Sequence, residues 1–101
     1  MRTILKPLAV VDNEMEFPIG TKLFKKSKYD GINIYMEYKL VWANWEGPYM
    51  MLIRKLDEKT NKAEFGVIPQ KLTSGKYVVN KSSFQRTLGT ALEGWYLETK
   101  N

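Results

Sequence analysis

The stretch Ile32-Asn33-Ile34-Tyr35-Met36-Glu37-Tyr38-Lys39-Leu40-Val41-Trp42 decides the fold. Ile32, Ile34, Met36, Tyr38, Leu40 and Trp42 take every second position, with Asn33, Tyr35, Glu37 and Lys39 between them. Successive side chains of a strand point to opposite faces, so this alternation predicts one strand with one face on a core. At eleven residues it is longer than most strands and is expected to bend or twist around a small barrel.

Turn residues bracket it. Lys28-Tyr29-Asp30-Gly31 supplies an Asp-Gly turn before the strand, and Asn44-Trp45-Glu46-Gly47-Pro48 a turn after it. Tyr49 to Leu56 reads as a second, more apolar strand, and Asp57 to Lys62 as a polar hairpin loop that returns through a short strand, Ala63 to Ile68. Thr3 to Val11, Thr21 to Lys26 and Lys76 to Asn80 are further strands, with Pro7 placing the first at an edge or bulge. Such closely spaced turns point to an antiparallel barrel or sandwich.

The C-terminal region departs from this pattern. From Ser82 to Glu93, Phe84, Leu88, Ala91 and Leu92 fall on one helical face. Ser82 and Gln85 have the spacing of a capping box, and Gly94 stands at a helix C-cap. Gly89, unfavourable inside a helix, is expected to mark a close approach to a strand. The helix is expected to cover one open end of the barrel; a partner-binding helix is the alternative. Trp95 to Thr99 reads as a last short strand.

Three segments in this order resemble SH3 domains over roughly residues 8 to 80. They are Ala9-Val10-Val11-Asp12, Phe17-Pro18-Ile19-Gly20-Thr21-Lys22-Leu23 and Gly66-Val67-Ile68-Pro69. The resemblance implies a small SH3-like β-barrel, with the last segment leading into a 3₁₀ turn. It does not extend to proline-rich ligands. Asn13 stands where those domains carry an aromatic residue, no second tyrosine follows Pro69, and the acidic loop is reduced to Asp12, Glu14 and Glu16. The expected fold is therefore mainly β: one domain over residues 1–101, an SH3-like antiparallel barrel with one C-terminal α-helix at about 82–93.

Composition narrows the chemistry. Among 101 residues there is no histidine and no cysteine, which excludes disulfides, thiol nucleophiles, imidazole acid–base catalysis and zinc sites built from those ligands. Lys81-Ser82-Ser83 is the one cluster suggestive of a nucleophile, and capping accounts for Ser82 better. Asp12, Glu14 and Glu16 alternate along an extended segment, but no calcium loop is completed around them, so a solvated acidic face is expected. No enzyme activity, cofactor or metal is therefore expected. Lys6, Pro7 and Asp12 break any apolar signal core at the N-terminus, and no segment has the length of a membrane span. A cytoplasmic protein is expected, and the Asn80-Lys81-Ser82 sequon is read as coincidence.

The formal charge is +5, and it is uneven. Residues 21–41 carry net +3, and Lys22, Lys25, Lys26 and Lys28 form the densest patch, with no acid among them. Tyr29 and Tyr35 lie nearby, and lysines beside aromatics are what a single-stranded nucleic-acid platform uses. Lysine exceeds arginine 13 to 3, which favours backbone contact over reading of bases. The competing surface is Trp45, Tyr49 and Met51, whose residue types anchor protein interfaces. The strand they adjoin is apolar on both faces, which calls for the helix, a partner or a second copy to cover one of them. The leading expectation is a small bacterial or phage accessory or inhibitor protein that binds another protein, self-association included. The alternative is a basic barrel binding single-stranded nucleic acid with low sequence specificity. No membrane partner is expected.

Overall fold

The structure, a computed structural model, describes residues 3–43, 50–55 and 63–100. The alternating stretch forms β4 (Ile32–Ala43), and its hairpin partner is β3 (Lys22–Tyr29). Asp30 and Gly31 between them both have positive φ, 53° and 78°, as in the two-residue turns whose twist matches that of paired strands. Such a turn also sets the register. Tyr29 stands opposite Ile32 and, counting back, Lys22 stands opposite Lys39.

This hairpin is the centre of a six-stranded antiparallel sheet. β9 (Trp95–Lys100) pairs with the first half of β3, and β5 (Met50–Lys55) pairs with the second half of β4. β1 (Thr3–Pro7) and β6 (Ala63–Val67) complete the order β1-β9-β3-β4-β5-β6. A smaller sheet, also antiparallel, is built from β2 (Glu16–Pro18), β7 (Gln70–Lys71) and β8 (Tyr77–Asn80) in the order β2-β8-β7. Among the described residues no pairing joins β1 to β6, and no closed barrel is found. The fold is mainly β, with one helix.

Two local expectations are corrected. The first strand stops at Pro7, and Leu8–Val10 turn as a short 3₁₀ segment that buries Leu8. Gly66-Val67-Ile68-Pro69 lead from β6 into β7 and not into a 3₁₀ turn.

The core lies between the two sheets. The large sheet contributes Leu23, Tyr38, Leu40, Ile53 and Trp95, and Phe17 and Val79 come from the small one. Trp95 is the centre of a ring cluster, with centroids 4.9 Å from Tyr38 and 5.6 Å from Phe65. On β5 the adjacent residues Leu52 and Ile53 are both buried, at 5% and 0% exposure. Neighbours on a strand face opposite ways, so the chain itself covers both faces of β5 at that point.

α1 (Lys81–Leu88) seals the core. Phe84 is fully buried, 5.3 Å from Phe17 between ring centroids. Thr87 Oγ1 donates to Gly66 O at 3.1 Å, and Ser83 Oγ lies 3.1 Å from Ile68 O, which ties the helix to the end of β6. The helix covers the core, though not the end of a barrel as expected, and its ends differ from the reading of the sequence. The cap is Asn80, whose Oδ1 accepts the Ser83 N–H at 3.0 Å, while Ser82 is exposed. Gly89 closes the helix at φ 63°, and a Cβ built there would meet nothing within 4 Å. Its role is therefore left-handed backbone and not a close approach to a strand. Residues Gly89–Gly94 continue as 3₁₀ helix.

Candidate nucleic-acid interface

The site follows from strand alternation. Leu23, Tyr38 and Leu97 stand side by side on β3, β4 and β9 and are all buried. Their neighbours Phe24, Glu37 and Tyr96 therefore face away from the core. The same parity puts Lys22, Lys26 and Lys28 of β3, with Asn33, Tyr35 and Lys39 of β4, on this outer face. Tyr35 reaches across β3 to Tyr96, edge to face at 5.7 Å between centroids. Lys26 stands opposite Tyr35, Lys28 opposite Asn33 and Lys22 opposite Lys39. The result is an aromatic patch of Phe24, Tyr35 and Tyr96 with four lysines around it.

Charge on this face is only partly compensated. Lys22 Nζ lies 3.3 Å from Glu37 Oε1; the pair is partly exposed and contributes little to stability. Lys26 and Lys28 are exposed. They sit on the distal part of the hairpin, an arm from Lys26–Tyr35 to Tyr29–Ile32 beside which no third strand lies among the described residues.

The six residues expected at a nucleic-acid surface thus separate. Lys22, Lys26, Lys28 and Tyr35 share the outer face. Lys25 and Tyr29 have the opposite parity: the Lys25 ammonium lies 5.9 Å from the Trp95 ring centroid, a cation–π contact on the core side, and Tyr29 stands at the base of the turn, facing with Ile32. The alternation of β3 divides the four close lysines between its two faces. Lys39, Phe24 and Tyr96 share that outer face and were not among the expected residues. The Asp30-Gly31 turn carried the signal for Lys39, because a two-residue loop dictates which residues pair; Tyr96 required knowing that β9 lies beside β3.

The expected protein-facing residues fare differently. Trp45 and Tyr49 lie outside the described residues. Met51 is on β5, opposite Trp42 and Val67, with its side chain outside the described ones. A second lysine–aromatic arrangement exists on the small sheet, where Tyr77 stacks on Trp42 at 4.8 Å and 25° and the Lys71 ammonium lies 5.8 Å from the Tyr77 ring. Both rings there are half-buried and stacked face to face, whereas Tyr35 of the outer patch is exposed and meets Tyr96 by its edge.

Nothing in this geometry joins Lys81 and Ser82 into a nucleophilic pair. Lys81 is buried and donates to the carbonyls of Ala9 and Val11, which pins the 3₁₀ segment to the start of the helix. Among the described residues no group of three carboxylates could hold a metal ion, and no helix is long and apolar enough to cross a membrane. No protein-family model matches the sequence, and no curated protein or solved structure matches it either.

Proposed function

We propose that this protein is a non-enzymatic binding module that holds single-stranded nucleic acid on the outer face of β9, β3 and β4. The observation that carries the reading is the register of the β3–β4 hairpin, which sets Lys22, Lys26, Lys28 and Lys39 around Phe24, Tyr35 and Tyr96 on one face. Exposed aromatic rings accept bases by stacking, and ammonium groups follow the phosphates. Point-charge lysines carry no base code of their own, so sequence preference is weak. The proposal takes nothing from the SH3 resemblance, because a proline-rich ligand would need an aromatic groove that those motifs do not supply.

Fluorescence anisotropy of labelled oligothymidine and oligouridine tests this. Affinity should fall with salt along a log–log slope of about −2 to −3, for three to four phosphates contacted by lysine. Absence of binding at low ionic strength, or binding indifferent to salt, overturns the reading.

A protein partner, the leading expectation from the sequence, becomes the second reading here, and it rests on a different surface from Trp45, Tyr49 and Met51. The other face of the same arm is apolar and exposed.

A further inference from the structure

The platform leaves the inner face of the β3–β4 arm unused. Ser27, Tyr29, Ile32 and Ile34 continue the core-facing positions of Leu23, Tyr38 and Leu40 beyond the point where β9 and β5 flank the hairpin. Tyr29 is 73% exposed, Ile32 67% and Ile34 42%. Exposed β-branched residues on a ribbon that no third strand flanks among the described residues favour association. Two charged residues bound the stripe, Lys25 at the base beside Trp95 and Asp30 in the turn.

We propose that this face is covered by a second copy of the chain, the two arms packing face to face and antiparallel about a two-fold axis through the Ser27–Ile34 pair. A two-fold contact must be complementary to itself. With the axis there, Ile34 meets its own counterpart, Met36 of each copy meets Ile32 of the other, and Lys25 of each stands near the Asp30 turn of the other. A parallel two-fold would set β3 of each copy over β4 of the other, with Lys25 across from Met36, and would leave Asp30 far from either lysine. The antiparallel one also turns both lysine faces outward, so two chains of charge +5 meet through an apolar face and not through their lysines.

The size of the stripe sets the strength. Three partly exposed side chains offer about 350 Å² per copy, roughly half of what one partner contributes to a standard interface. The dimer is therefore weak, with a dissociation constant of about 10⁻⁵ to 10⁻³ M. The inference stands apart from the nucleic-acid reading and is tested without nucleic acid.

Sedimentation velocity of the full chain, from about 10 μM to about 1 mM to span that range, should show the average mass rising from 11.8 kDa towards twice that value. Ile34→Lys, at an exposed position, should keep the circular dichroism of the parent and stay monomeric throughout. Lys25→Asp and Asp30→Lys should each weaken association about tenfold, and the double variant should recover to within about twofold of the parent. A parent that stays at 11.8 kDa, an Ile34→Lys variant that still dimerises, or a double variant no better than either single one overturns the proposal.

Discussion

The two ends of the β3–β4 hairpin obey the same alternation and have opposite fates. At the base, Leu23 and Tyr38 point inward and are buried, with β9 paired beside Leu23, β5 beside Tyr38, and the Tyr38 ring packed on Trp95 and Phe65. At the tip, Tyr29 and Ile32 occupy equivalent positions and are mostly exposed. Period two says which face a residue takes, not how far the core extends along that face. Its extent depends on where β9 and β5 stop, which no local pattern in Ile32–Trp42 encodes.

The largest expected effect probes that contrast directly. Leu40→Ala should lower unfolding free energy by about 2–5 kcal/mol, while Ile32→Ala should change it by less than about 0.5 kcal/mol. Urea denaturation of both variants checks this, and equal losses would mean that the arm is part of the core.

Tyr38 sharpens the comparison at the base. Its hydroxyl donates to Glu64 Oε2 at 3.0 Å, and burial, reinforced by that hydrogen bond and by the carboxylate's charge, pushes its pKa up to about 12 from 10.0. A group whose folded pKa is raised contributes stability that is complete below its unfolded pKa and is lost as pH rises through the folded one. Stability should therefore fall from about pH 10 upward, by as much as about 3 kcal/mol once pH has passed the folded pKa. Tyr38→Phe should remove that part of the alkaline slope, as denaturant midpoints between pH 8 and about 12 would reveal.

Lysines provide the next contrast. Lys81→Ala leaves the buried carbonyl of Val11 without its donor and should cost about 2 kcal/mol. Lys28→Ala, on the arm, should cost less than about 0.5 kcal/mol. Thermal unfolding of the pair checks this.

Much of the fold was legible in residues with strong local signals. The alternation from Ile32 marked β4, Asp30-Gly31 marked the hairpin, and Phe84 with Leu88 marked a covering helix. What escaped was short or long-range. β2 and β7 have three and two residues, too few for any period to register. Asn80 and Ser82 are both competent caps by composition; Asn80 is the one whose side chain reaches the Ser83 N–H as β8 ends. Closure of a barrel depends on whether β1 meets β6, strands nearly sixty residues apart in sequence. For the site, lysine density was visible but its division between two faces was not, since that required applying the strand's own parity to Lys25 and Lys26.

That division is the central claim, and affinity for a labelled oligothymidine, measured across salt for outer-face and inner-face variants, tests it most directly. Lys26→Gln with Lys28→Gln should weaken binding at low salt and make the log–log salt slope shallower by about 1.4, as expected for two lost phosphate contacts. Tyr35→Ala should cost about 1–3 kcal/mol of binding at any salt, and Lys25→Gln should bind like the parent. A Lys25→Gln loss as large as that of the outer pair, or outer-face variants that bind as the parent does, would contradict the account.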